Sequence, residues 1–284
     1  MNDLQFTAIT DEQLELGEGA AWYGDTFWFV DLLAGRVLST DPGLTSVREV
    51  LRLDVPVGAA APTETGGLVL AAGDGIALAQ DGQLTWLARP EAEVSTAMRM
   101  NDGTTDPQGR FWATSMAYDN TPGAGSLYRV GADCDVVRVL GDLTIPNGPA
   151  FAPDGDRMYL ADSAQALILS FRVDPATGDL TEEEVFAEVA DGSPDGMSVD
   201  SNGYLWSAVW GASCLHRYAP DGTVADVIPV PARQPTKVAL SSTRPGILMV
   251  TTATLGLDAP GGLDGCTLVA EVEVSGVSAP AFRG

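Results

Sequence analysis

Histidine and lysine are almost missing from this chain. His216 is the only histidine and Lys237 the only lysine among 284 residues. The first scarcity removes most histidine-dependent chemistry at once. Ser-His-Asp and Cys-His hydrolases, histidine-rich zinc sites and histidine-dyad lactonases each need histidine at a defined place. His216 lies in the alternating run Leu215-His216-Arg217-Tyr218 before the turn Pro220-Asp221-Gly222, and reads as an ordinary strand residue. Cysteine is scarce too. Cys134, Cys214 and Cys266 are odd in number and far apart, which argues for reduced, buried thiols and against a disulfide framework or a cysteine zinc site. No apolar run reaches the roughly 18 residues a membrane-spanning helix needs. The segment Met1 to Glu12 lacks the basic-then-apolar order of a signal peptide, so a cytoplasmic location is the expectation. Basic charge is outnumbered, 15 Lys and Arg against 39 Asp and Glu, for a net charge of −24. Such a field repels nucleic acids and anionic membrane surfaces, so neither is expected as a partner.

What is present is a repeat. Glycine or Asx-Gly elements open successive units at Gly17-Glu18-Gly19, Val57-Gly58, Asn101-Asp102-Gly103, Asn147-Gly148, Asp195-Gly196 and Pro235-Thr236. Counted from residues 17, 57, 101, 147, 195 and 235, the spacings are 40, 44, 46, 48 and 40 residues. That is the period of a four-stranded propeller blade. Within each unit a short strand is followed by a turn (Asp106-Pro107-Gln108-Gly109, Pro153-Asp154-Gly155, Asp200-Ser201-Asn202-Gly203). A β-rich run with aromatics comes next, such as Arg157 to Asp162 or Tyr204 to Trp210, and then two further strands. No window sustains a helical period. The sixth unit has only three strands by this count, and Leu4 to Ile9 is placed to supply its fourth, which would remove two open sheet edges. The expected fold is all-β: a single six-bladed β-propeller domain over residues 1–284, closed by the N-terminal strand.

In a propeller the first strand of each blade is innermost, so the residues just before it lie near the axis on one face. Glu18, Asn101, Asn147 and Asp195 share that rank in units one, three, four and five. Any single Asx-Gly is ordinarily a tight turn. Four converging oxygen donors, however, suit a hard divalent cation, which would also relieve repulsion between the carboxylates. The second unit offers only Val57-Gly58-Ala59 at this rank, and the last offers Pro235-Thr236-Lys237, whose lysine could point into the channel or away.

The segments Leu16-Gly17-Glu18-Gly19-Ala20, Arg99-Met100-Asn101-Asp102-Gly103, Pro146-Asn147-Gly148-Pro149 and Pro194-Asp195-Gly196 resemble those of the gluconolactonase/regucalcin (SMP-30) family. So do Gly109-Arg110-Phe111-Trp112 with Met116, and Gly203-Tyr204-Leu205-Trp206 with Trp210-Gly211. The resemblance runs from about residue 14 to residue 255, and the tryptophan-rich units are similar to those of bacterial members acting on aldonolactones. It implies one divalent metal cation held by Glu18, Asn147 and Asp195, with Ca2+ first and Zn2+, Mg2+, Mn2+ or Fe2+ as alternatives, and no organic cofactor. It implies substrate contacts from Arg99 and Asn101, with Asp119 as the nearest match to an acidic residue after the Met of the third unit. The expected activity is hydrolysis of a small-molecule sugar lactone by a monomer or weak homo-oligomer. Asp195 is the candidate general base, with metal-bound hydroxide as the competing account. Gly123-Ala124-Gly125-Ser126 reads as a strand connection, not a phosphate loop. Two other readings stay open: an organophosphate or other ester hydrolase on the same scaffold, and a calcium-binding or interaction propeller without catalysis.

Overall fold

The computed structural model of the protein describes residues 4–284. Its strands form four separate four-stranded antiparallel sheets and one eight-stranded sheet. The eight-stranded sheet consists of two antiparallel halves that meet at a single parallel pairing, Gly196 with Lys237. The repeat seen in the sequence therefore has a direct structural counterpart. The first strands of the successive units are Gly17–Tyr23, Val57–Pro62, Met98–Thr105, Pro146–Phe151, Ser193–Val199 and Pro235–Leu240. A single 3-10 turn, Ser163–Gln165, is the only helical element among the described residues, and no helix is long and apolar enough to cross a membrane.

Burial runs from first strand to fourth. The first strands are buried along nearly their whole length, whereas the fourth strands, such as Val47–Arg52, Leu180–Glu188 and Val224–Pro229, are largely exposed. Composition follows this gradient. Small residues stand in the first strands where they press on their neighbours, most completely in Val57-Gly58-Ala59-Ala60-Ala61-Pro62, which packs between the first strands of the first and third units. Gly58 shows the limit: a Cβ there would overlap the backbone carbonyl of Asn101. Pro235–Leu240 in turn packs against Gly17–Tyr23, and Thr236 Oγ1 donates to the Gly17 carbonyl at 2.5 Å.

The turns between first and second strands form as read, with Gly109, Gly155 and Gly203 at φ of 81°, 69° and 82°. Two of them are anchored by the same device. Asp106 accepts backbone N–H bonds from Gln108 and Arg110 and a bond from Trp112 Nε1 at 2.9 Å, and it pairs with the Arg110 guanidinium. Asp200 accepts from Asn202 N, Tyr204 N and Trp206 Nε1, and it pairs with Arg217. Both aspartates are fully buried, so ionic pairing and complete hydrogen bonding offset their desolvation.

The N-terminal strand does pair where expected, but it is shorter than Leu4 to Ile9. Only Thr7–Ala8 joins the sheet, opposite Val269 and Leu268. Beyond it Ile9 N still donates to Thr267 O, while the Thr10 hydroxyl accepts from Thr267 N and so ends the ladder. All three cysteines are free, as read; Cys134, however, is only half-buried, at a turn on the edge of an apolar cluster against which it packs. His216 lies in the strand Cys214–Tyr218 and its Nδ1 shares a hydrogen bond with Tyr218 Oη, an ordinary strand setting.

The C-terminal segment has no counterpart in the repeat. It crosses several units: Gly276 N donates to Ser241 O, Thr105 Oγ1 donates to Pro280 O, Phe282 N donates to Pro62 O, and Arg283 N donates to Gly109 O. Phe282 is completely buried in one apolar cluster with Ala61, Val69, Phe111 and Tyr128. Phe282→Ala is expected to cost about 3–5 kcal/mol of stability. Denaturant melts of the two proteins check this, and a loss under about 1 kcal/mol would show that the segment carries no structural weight.

Candidate active site

Glu18, Asn101, Asn147 and Asp195 were expected just before their first strands; all four lie inside them. The reason is a break of register repeated in every unit. Pairing between first and second strands shifts between Glu18 and Ala21, Val57 and Ala59, Met100 and Gly103, Asn147 and Ala150, Pro194 and Met197, and Pro235 and Lys237. A bulge turns a side chain out of the strict in-and-out alternation of a strand, and bulges collect beside active sites for that reason. The Asx-Gly pairs at these positions are thus bulge elements and not hairpin turns.

Two of the amides are oriented by their hydrogen bonds. Ser163 Oγ donates to the Pro194 carbonyl at 2.6 Å, so it can only accept from Asn147 Nδ2 at 2.9 Å. That fixes the amide and directs Asn147 Oδ1 the other way. Asn101 Nδ2 donates to Pro146 O at 2.9 Å and to Asn147 Oδ1 at 2.8 Å, while Asn101 Oδ1 accepts from Arg99 Nη1 at 2.6 Å. Arg99, Asn101, Asn147 and Ser163 therefore form one continuous buried chain linking the third, fourth and fifth units. Among the described residues only Nη1 of the Arg99 guanidinium donates to protein, to Met100 O and Asn101 Oδ1.

The carboxylates are placed differently. Glu18 and Asp195 are each 5% exposed, and each accepts a bond only from the backbone N–H that follows it, Gly19 and Gly196. Neither makes an ion pair among the described residues. Burial, followed by repulsion from Asp102, pushes the Glu18 carboxyl up to about 8. Burial, then Glu18, then Asp102, holds Asp195 well above the usual carboxylate range. Arg99 is lowered by burial, with Glu18 and Asp195 among the charges opposing that shift. Two buried acids that form no ion pair among the described residues, with an asparagine amide oriented by Ser163, fit an all-oxygen divalent site. Among the described residues no three His, Cys, Asp or Glu side chains are gathered as a metal cluster; this set has two carboxylates and relies on Asn147 for its third donor.

Other residues were not assigned from sequence. Lys237 points inward: its Nζ donates to Asp102 Oδ1 at 2.6 Å, both side chains being nearly inaccessible. Ser163 carried no motif. Asp31 and Asp162 end the second strands of units one and four and receive the backbone N–H groups of Leu16, and of Thr144 and Ile145, just ahead of Glu18 and Asn147. Their signal was present, an aspartate closing the same run in two units. Asp119 stands apart. It is exposed, accepts from Thr121 N and Oγ1, and shares no hydrogen bond or ion pair with the buried set.

The chain belongs to the SMP-30/gluconolactonase/LRE-like family, whose model matches residues 16–254. It is 34% identical over 280 residues to the 6-deoxy-6-sulfogluconolactonase of Pseudomonas putida, with 95% of each chain covered. It is 31% identical over 291 residues to the pentonolactonase XacC of Haloferax volcanii, covering 98% of this chain and 97% of that one. Among solved structures, the calcium-binding protein regucalcin of Agrobacterium tumefaciens superposes with a TM-score of 0.91 at 28% identity, over 99% of this chain and 98% of that one.

A carboxyl raised by folding keeps a proton that the unfolded chain has already lost. The cation-free protein should therefore lose stability as pH rises from about 4.5 through about 8, because unfolding releases the proton held by Glu18. Melting temperatures taken in chelator across that range check this. Glu18→Gln should flatten the decline, and an unchanged profile in that variant would contradict the assignment.

Proposed function

We propose that the chain is a single six-bladed propeller, closed by its N-terminal strand, that hydrolyses a sugar lactone to the aldonic acid. One divalent cation would be held by Glu18, Asn147 and Asp195. The observation that carries this reading is the pair of buried carboxylates that make no ion pair among the described residues, together with an asparagine amide already oriented by the fold. Repeated four-stranded sheets, the pairing of Thr7–Ala8 with the last strand and the packing of the sixth first strand on the first support the closed architecture. The lactonase activity draws on relatives named as lactonases that match this chain over nearly its full length. Calcium is the first choice of ion, since the donors are all oxygen and the Agrobacterium relative is described as calcium-binding.

The protein's own side chains have separate tasks. Arg99 binds the hydroxyls or ring oxygen of the sugar. Asn101 holds Arg99 and Asn147 in register; both of its amide protons are already committed to the protein, so its contact with substrate is through its oxygen. Asp119, on its exposed turn, is an outer contact for the polyol tail. Asp195 takes the proton of the attacking water as the new carbon–oxygen bond forms, and that proton passes to the ring oxygen when the ester bond opens. The cation, when bound, supplies Lewis-acid polarisation of the lactone carbonyl, a contribution of several kcal/mol.

Asp195→Ala should lower kcat for aldonolactones by at least about a thousandfold while leaving the far-ultraviolet spectrum of the fold unchanged. Residual turnover near the wild-type rate would remove Asp195 from the chemistry. Chelation should abolish hydrolysis in a pH-drop assay, and adding Ca2+ back should restore it. Faster turnover of phosphotriesters than of lactones would favour an organophosphate hydrolase instead, and tight Ca2+ binding with no turnover across a lactone and ester panel would favour a binding propeller.

A further inference from the structure

The only lysine in the chain is also one of its most buried charged residues, 2% exposed, while every other side-chain cation apart from His216 is an arginine. Lysine is almost never fully buried unless paired, so a single lysine placed here calls for an electrostatic account. Its partner is Asp102, fully buried, which also accepts N–H bonds from Gly103 at 2.7 Å and from Gly148 at 3.1 Å. Lys237 comes from the sixth first strand, Asp102 from the third and Gly148 from the fourth. The pair thus spans the channel. The lysine stem runs over Gly196, at the one parallel pairing between the fifth and sixth units. A Cβ on Gly196 would overlap the Lys237 Cβ, Cγ and Cδ, so the glycine next to Asp195 makes room for this stem. A compact ammonium on a thin stem suits this passage, and a planar guanidinium does not. Behind the stem lies a cavity of about 70 Å³, bounded by Ala20, Thr104, Pro149, Met197 and Val277.

Charge accounting gives the pair its meaning. Glu18, Asp102 and Asp195 are three buried acids in one channel, set against Arg99 and Lys237. Asp102 acts on both Glu18 and Asp195 by repulsion, and Lys237 acts on both by attraction. We propose that Lys237 and Asp102 form a built-in counter-charge that sets the cation affinity of the Glu18, Asn147 and Asp195 site, so that an arriving ion meets two uncompensated carboxylates and not three. Lys237 is a positioning residue: it touches neither the substrate nor the ion. The inference rests on the cation site proposed above.

The two partners act on the ion with opposite sign, which separates this role from a merely structural one. Removing the lysine charge leaves Asp102 as a third anion and tightens binding. Removing the aspartate charge leaves Lys237 as an uncompensated cation and weakens it. Ca2+ is titrated calorimetrically, at pH 8, into cation-free wild type, Lys237→Met, Asp102→Asn and the double variant. Expected are a Kd lowered roughly tenfold in Lys237→Met, raised roughly tenfold in Asp102→Asn, and within about twofold of wild type in the double variant. Melting temperatures with and without Ca2+ should follow, the calcium-induced rise being largest in Lys237→Met and smallest in Asp102→Asn. The double variant carries an uncharged pair of similar shape and keeps the test open should a single variant fold poorly. Affinities that move the same way in both single variants, or in neither, overturn the counter-charge and leave the cation site standing. A wild-type protein that binds no Ca2+, Mg2+, Mn2+ or Zn2+ overturns the site and the counter-charge together.

Discussion

Keeping Glu18 and Asp195 out of water without a cation of their own is the constraint around which the rest of the channel is arranged. A carboxylate removed from water costs several kcal/mol unless something replaces its hydration. Here the protein supplies only one backbone N–H to each. Elsewhere the same chain compensates buried acids fully: Asp106 and Asp200 each receive a guanidinium, an indole N–H and backbone donors. The contrast within one molecule is what supports the proposal that the compensation for this pair comes from a ligand. It also explains why Asp102, a third acid close by, is given the only lysine.

Geometry makes the constraint possible. Six first strands pack one against the next, and each shifts register against its second strand. The shift takes Glu18, Asn101, Asn147 and Asp195 out of the plain alternation of their strands. In the second unit the position must be Gly58, because the Asn101 backbone passes there, and this accounts for the side of the channel that offers no ligand. Function is thereby written in the few units where a polar residue fits, and packing occupies the rest.

Much of this was legible in the sequence, because the repeat is carried by turn residues whose chemistry is local. Gly109, Gly155 and Gly203 announce their turns whatever the tertiary structure. Glu18, Asn101, Asn147 and Asp195 stand out in the sequence because they share one position in a period. What was not legible depends on contacts between units. Whether Lys237 pointed inward could not be read from a strand whose alternation is broken by a bulge. Ser163 matters only because it lies between Asn147 and the carbonyl of Pro194 in the next unit. The C-terminal segment follows no period, and its role emerges from where Phe282 is buried. Asp119 is singled out by the family resemblance; its place on an exposed turn apart from the buried set depends on a loop conformation that the motif does not encode.

The pairing of Thr7–Ala8 with Leu268 and Val269 has a kinetic side. Its partners stand roughly 260 residues apart, a far longer loop than any hairpin within a unit has to close. Each sheet from the first to the fifth can assemble from neighbours in the chain, but the last cannot be completed until both ends of the polypeptide have met. The latch itself is two residues long. Completion of the last sheet is therefore expected late in folding, and the same short seam is where that sheet would first part under mechanical or thermal load. The groups proposed to hold an ion lie on strands of the first, fourth and fifth units, and Glu18 follows the seam by only ten residues. An ion gripped from both sides of the ring would thus act as a second fastener, slowing the escape of the N-terminal strand without touching it.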